Sequence, residues 1–286
     1  MITITGHSGN ALAGSIFEPE TANENQQTII LLHGGGQTRH SWKGTGLAIS
    51  ARGHRAITLD MRGHGDSDWS KDNEYALEDF SNDVKAVVQH VAIEYGTIPI
   101  VIGASLGGMA SMVCAGESDV DLMSALVLVD ITPRMKMSGV DKILGFMAAN
   151  AKEGFATLED AADVIAKYMP HRPKPKDLSG LKKNLRLGDD GRFRWHWDPG
   201  FLTSRRSMDD RVGIEARLVE AAQHLKMPVL LVRGRESELV GPQEVADFMS
   251  LVPHAKTTDV GGARHMVAGD KNDVFADAVL EFIDEL

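Results

Sequence analysis

The stretch "IPIVIGASLGGMA", Ile98 to Ala110, constrains this chain more than any other. Residues Ile98 to Ile102 are apolar and, Pro99 apart, β-branched, as a buried strand requires, whereas Leu106 to Cys114 is small and apolar in the manner of a packed helix. Ser105 stands between Gly103 and Gly107, where one pattern stops and the other starts. Turning from strand into helix this abruptly brings backbone against backbone, which only small neighbours permit. The predicted local unit is a strand feeding directly into a helix, the building block of an α/β fold.

The same alternation runs through most of the sequence. Strand-like segments at Ile2–Thr5, Ala11–Phe17, Thr28–Leu32, Arg55–Leu59, Ala125–Val129, Val229–Val232 and Lys256–Val260 are separated by helix-length ones. Phe80, Val84, Val87, Val88 and Val91 follow the helical period within Leu77–Tyr95, and Gln243–Leu251 and Val274–Leu286 also read as helices. A mostly parallel sheet with helical crossovers follows. The interval 133–227 breaks the rhythm, with helix-like pieces at Val140–Ala149 and Leu158–Tyr168, the aromatic cluster "RFRWHWDPGF", and no strand of the buried type. We read 1–132 and 228–286 as the core and 133–227 as a mostly helical cap over the carboxyl edge of the sheet, where ligands of open α/β sheets bind. An unrelated second domain is the alternative.

Composition narrows the classes of function. The 286 residues, 43% hydrophobic, suffice for one large core with an inserted subdomain. A net charge of -10 and the lack of any Lys/Arg-rich block exclude a nucleic-acid partner. The single cysteine, Cys114, forms no internal disulfide and falls in the apolar helix after Ser105. No run approaches the roughly 18 apolar residues of a membrane span, and "MITITGHSGN" lacks a basic segment followed by an apolar core. We expect a cytoplasmic protein with no membrane partner. The eleven histidines show no His-x-x-x-His or His/Cys spacing, so no metal is expected.

Two further segments carry chemistry. In "LLHGGGQTRHSW" three glycines follow His33 after a strand, letting backbone N–H groups approach a ligand closely. In "VGGARHMV" His265 falls between a strand-like segment and the last helix. Glycine loop, Gly-x-Ser-x-Gly and late histidine, in this order, resemble the α/β-hydrolase fold over nearly the whole chain. The resemblance implies Ser105 as nucleophile, His265 as its base, the N–H groups of Gly35 and Leu106 as an oxyanion hole, and no cofactor. A tight turn with an incidental serine is the bland alternative. "LDMRGHGDSD" is similar to the Asp-x-Arg-Gly-x-Gly-x-Ser stretch of capped members, so Asp60, Arg62, His64 and Asp66 are read as loop-fixing groups.

The third triad member departs from the commoner family pattern. Where many relatives carry Gly-x-x-Asp-x-x-Val, this chain has "GRESELV", with Ser237 at the Asp position and Glu236 and Glu238 beside it. A second branch, which includes small esterases and haloalkane dehalogenases, puts the acid at the end of the strand before the cap, and Asp130 in "LVLVDITP" occupies that place. Asp130 is preferred and Glu238 is the alternative.

A serine at the elbow excludes the aspartate-based chemistry of epoxide hydrolases and dehalogenases, and suits acyl transfer to water. The expected activity is hydrolysis of a small, partly apolar carboxylic ester, with lactones and thioesters as variants. Carbon–carbon hydrolysis of a β-diketone-like acid is one alternative, and a non-catalytic small-molecule binder on the same fold is another. Trp195, Trp197 and Phe201 either line an apolar substrate pocket or form the cap's own core, and Arg264 either binds an anionic group or faces solvent.

Overall fold

A computed structural model describes every residue of the chain except 173, 175, 176, 204–210 and 271. The strands are β1 (Ile2–Thr5), β2 (Ala11–Phe17), β3 (Thr28–Leu32), β4 (Arg55–Leu59), β5 (Ile100–Ala104), β6 (Ala125–Val129), β7 (Leu185–Leu187), β8 (Phe193–Trp195), β9 (Val229–Gly234) and β10 (Lys256–Val260). Eight of them form one sheet in the order β1-β2-β4-β3-β5-β6-β9-β10. Only β2 runs against its neighbours; from β4 to β10 every pair is parallel. Strands β3 and β6 read "TIILL" and "ALVLV" and are buried throughout, as strands covered on both faces must be.

Side-chain alternation divides the core into two layers. Ile30 and Leu32 face one cluster and Ile29 and Leu31 the other. The helices are α1 (Lys43–Ala51), α2 (Leu77–Tyr95), α3 (Leu106–Gly116), α4 (Met137–Ala148), α5 (Leu158–Tyr168), α6 (Gly200–Thr203), α7 (Arg211–Gln223), α8 (Pro242–Leu251), α9 (Val267–Asp270) and α10 (Asn272–Asp284). Apolar residues of α2, α3, α7 and α8 pack on the first layer; Ile49 of α1 and Phe275 and Val279 of α10 pack on the second. No helix among the described residues is long and apolar enough to cross a membrane.

Three details differ from the sequence expectation. Strand β5 begins at Ile100 rather than Ile98, because Pro99 lacks the N–H a ladder needs, and it runs on through Gly103 and Ala104, which pair with Leu128 and Val129. The interval 133–227 contains a short antiparallel hairpin, Leu185–Leu187 with Phe193–Trp195, that was not expected there; Gly191 supplies its turn at φ 73°. Helix α7, also within that interval, lies on the core: Leu218, Ala221 and Ala222 join the cluster on which α3 packs. By contrast, Met147, Phe155, Ala161, Leu185, Trp195 and Trp197 form a separate small cluster.

Candidate active site

The loops leaving the carboxyl ends of β3, β5, β6, β9 and β10 meet on one side of the sheet, at the point where β3 is flanked by β4 on one edge and β5 on the other. Ser105 follows β5 directly and takes φ 46°, ψ −113°, a strained conformation for a residue with a side chain. Close packing enforces it. A Cβ on Gly103 would lie 2.6 Å from the Gly107 carbonyl oxygen, and one on Gly107 would lie 2.7 Å from that of Leu32. Gly34 abuts the serine: its own added Cβ would sit 3.2 Å from Ser105 Cβ.

Asp130 follows β6, also at positive φ (51°), and is fully buried. Its Oδ1 accepts from the Gly234 N–H at 3.0 Å. Its Oδ2 accepts from the Ser237 hydroxyl at 2.6 Å and from His265 Nδ1 at 2.8 Å. Three donors offset the cost of burying the carboxylate. Because the carboxylate accepts a hydrogen bond from Nδ1–H, the neutral ring of His265 keeps Nε2 as its acceptor. Glu238 lies elsewhere: its Oε1 meets Lys142 Nζ at 3.4 Å, and among the described residues no hydrogen bond joins it to His265.

Ser105, His265, Gly35 and Leu106 line one cavity of about 640 Å³, within the range of small-molecule sites. Among the described residues the amide N–H groups of Gly35 and Leu106 have no protein partner, whereas those of Gly34, Gly36 and Gly107 are bonded to Gln37 Oε1, His64 Nε2 and the His33 carbonyl. Leu106 opens α3, where a free N–H is the rule. The far wall comes from α4, α5 and the β7–β8 hairpin, including Ile143, Phe146, Met147, Ile165 and Trp195. Tyr168, stacked on Phe146 at 4.0 Å, also faces the cavity; burial, with Glu238 nearby, raises its hydroxyl to about 12. Among the described residues, no three His, Cys, Asp or Glu side chains gather in a set that could hold a metal ion.

The sequence profile described as the alpha/beta hydrolase fold matches residues 27–271. The chain belongs to the α/β-hydrolase family. An esterase of Mycobacterium tuberculosis is 29% identical over 262 residues, covering 89% of this chain and 80% of that protein. A 2-(acetamidomethylene)succinate hydrolase of Mesorhizobium japonicum is 28% identical over 230 residues, covering 80% and 78%. A crystal structure of E-2-(acetamidomethylene)succinate hydrolase superposes with a TM-score of 0.81 at 23% identity, covering 99% of each chain, a likeness of fold.

The two readings of the aromatic cluster merge in this α/β-hydrolase. Trp195 and Trp197 belong to the small cluster of the inserted segment and also line the cavity. Phe201 meets the rings of His64, Tyr75 and Phe80 edge-on and lies 3.4 Å from where a Cβ on Gly35 would be. Arg264 is not part of the cavity wall; it is partly exposed, 3.9 Å from Glu236. The cations that do line the cavity, Arg172 and Lys174, are paired with Asp270 and Asp163. Asp60 is buried against Arg39 and Arg62 against Asp83, holding the loop after β4 in place.

Two contributors escape a reading of the sequence. Ser237, which looks like a missing carboxylate, donates to Asp130 and accepts the N–H groups of Leu239 and Val240 at 3.0 and 3.1 Å. Its position in the family pattern was the available signal. His196, within "RFRWHWDPGF", reaches the glycine loop from the inserted segment, and nothing in its spacing indicates that.

Proposed function

We propose that this α/β-hydrolase cleaves carboxylic esters, and by the same acyl transfer thioesters or lactones, through an acyl-enzyme on Ser105. The observation that carries the reading is the 2.8 Å bond from His265 Nδ1 to buried Asp130, on a ring that shares its cavity with Ser105 and the glycine loop. In this mechanism His265 Nε2 removes the Ser105 hydroxyl proton as Oγ bonds to the carbonyl carbon. The oxygen becomes an anion held by the Gly35 and Leu106 N–H groups. Collapse expels the alcohol, protonated by His265; water then attacks with the same base, releasing the acid and restoring Ser105. Asp130 keeps the imidazole in the working tautomer and stabilises the imidazolium.

Residues 133–203 are the cap in this reading, since they supply the far wall of the cavity, while α7 packs with the core. The wall they supply is chiefly apolar, and the cations beside it are already paired, which favours an apolar acyl group over a dicarboxylate. The relative named an esterase supports the same class. The test is fluorophosphonate labelling followed by peptide mass spectrometry, with turnover on p-nitrophenyl esters from acetate to dodecanoate. Labelling at Ser105 and faster turnover of the longer chains are expected. A protein neither labelled nor active on any ester, thioester or lactone is a binder, and the proposal fails.

A further inference from the structure

Three buried imidazoles hold the glycine loop, and one of them comes from outside the core. His33 Nε2 accepts the Met61 N–H at 3.0 Å, so its proton sits on Nδ1, 2.8 Å from the Gly34 carbonyl oxygen. His64 Nε2 accepts the Gly36 N–H at 3.0 Å, and its Nδ1 donates to the Arg62 carbonyl at 2.9 Å. His196 Nδ1 accepts the Gly65 N–H at 2.7 Å, which leaves its proton on Nε2, 3.4 Å from the Gly36 carbonyl oxygen. The rings adjoin, with centroids 5.2 Å apart for His33 and His64 and 6.0 Å for His64 and His196. Burial holds all three neutral, lowering them to about 4, about 3 and about 2 for His33, His64 and His196.

Peptide planarity turns these bonds into an orientation for the oxyanion donor. The Gly34 carbonyl and the Gly35 N–H share one plane, as do the Gly36 carbonyl and the Gln37 N–H. The Gln37 N–H donates to the Gly34 carbonyl at 3.1 Å, so the two planes are joined. His196 therefore acts on the second plane directly and on the Gly35 N–H through it. The same hairpin clamps the partner loop, because Arg186 donates to the Gly65 carbonyl while His196 accepts the Gly65 N–H. Met147 also packs on Gly36 from the cap side, 3.0 Å from where a Cβ would be.

We propose that His196 is a positioning residue for the Gly35 oxyanion donor, so that the cap completes the catalytic machinery as well as covering it. This rests on the serine-hydrolase reading above. Two variants separate the two bonds of the ring. In His196→Asn the amide oxygen replaces Nδ1 and keeps the Gly65 bond, but the side chain is too short to reach Gly36. In His196→Gln the amide nitrogen stands near Nε2 and can restore the Gly36 bond.

The measurements are kcat and KM on one p-nitrophenyl ester, inhibition by a trifluoromethyl ketone that forms a hemiketal anion on Ser105, inhibition by the product acid, and the melting temperature. His196→Asn should lose about ten- to hundredfold in kcat and in ketone affinity, as a displaced oxyanion donor implies. KM and affinity for the product acid should hold, and His196→Gln should recover most of the loss. Wild-type kcat and ketone affinity in His196→Asn overturn the role of His196, as do losses in both variants that follow melting temperature alone. A wild-type enzyme that turns over esters without forming the hemiketal overturns the serine reading, and the role of His196 with it.

Discussion

Asp130→Asn tests the site most sharply, because the change is nearly isosteric and every bond to the carboxylate is known. Wild-type Oδ1 accepts from the Gly234 N–H and Oδ2 accepts from Ser237 and His265. An asparagine has one oxygen for the Gly234 side, so its NH₂ must face Ser237 and His265. The serine hydroxyl loses its acceptor, since its two lone pairs already take the Leu239 and Val240 amides. The imidazole has to accept on Nδ1 instead of donating, which moves its proton to Nε2 and removes the base that Ser105 needs. A wrong-tautomer histidine costs about ten-thousandfold in the serine-protease case, about 5.5 kcal/mol of transition-state stabilisation. Glu238→Gln removes only a partly exposed contact with Lys142 at 3.4 Å, a pair of a kind worth about 0–1 kcal/mol, and should keep most activity. Ester turnover at neutral pH, with circular dichroism to show that both variants fold, decides the matter. Folded Asp130→Asn with substantial activity, beside an inactive Glu238→Gln, refutes the reasoning and transfers the role to Glu238.

Ser237→Ala should cost about 1–3 kcal/mol in urea unfolding, since it strands the Leu239 and Val240 amides and removes one of the two donors to Asp130 Oδ2; its loss of turnover should be far smaller than that of Asp130→Asn. Gly107→Ala should lower stability by about 1–3 kcal/mol or prevent folding, because the new Cβ meets backbone oxygens of Leu32 and His33 at 2.7 and 2.9 Å; a melting temperature equal to wild type counts against the close-packed elbow. Stability should also fall with acid. His33, His64 and His196 stay neutral when folded far below the usual histidine value of 6.5, so only the unfolded chain gains those protons. Their contribution is complete above about pH 6.5 and is lost by up to about 1.4 kcal/mol per pH unit per histidine as pH falls towards the folded values. Urea midpoints that stay level from neutrality to about pH 5 would contradict it.

How much of this was legible in the sequence depends on the range of the interaction that decides each feature. Seven of the eight strands of the main sheet begin where the sequence reading places them, and in β3, β6 and β9 the signal is strongest because burial on both faces demands an apolar run. The exception, β5, was set by a proline. The elbow was readable because its glycines answer to contacts within and beside the same turn. The β7–β8 hairpin was not: its strands are three residues each, and of β7 only Leu185 is buried, so no alternation long enough to register exists. Helix α7 was placed with the insertion because chain position says nothing about which cluster Leu218 and Ala221 join. The hydrogen bonds of His196 span 131 and 160 residues, and no local pattern encodes a contact of that range.

Ser237 and Asp130 are best understood as one arrangement rather than as a lost acid and a replacement. Strands β6 and β9 are adjacent and parallel, with Val129 paired to Val232, so their carboxyl ends lie about 4.8 Å apart and an acid at either end can reach the same histidine. Both ends cannot carry one. Two buried carboxylates at that separation would oppose each other's ionisation and raise one into the neutral form. An acid that ends β6 therefore calls for a donor, not a second acid, in the loop after β9. Ser237 meets that need with its hydroxyl hydrogen on Asp130 Oδ2 and its lone pairs on the Leu239 and Val240 amides, which tie the loop to the carboxylate it supports. Glu236 and Glu238, one residue to either side, point elsewhere: Glu236 is turned towards Arg264 and Glu238 towards Lys142, each with a cation of its own. The departure from the commoner motif is thus the expected counterpart of an acid at position 130.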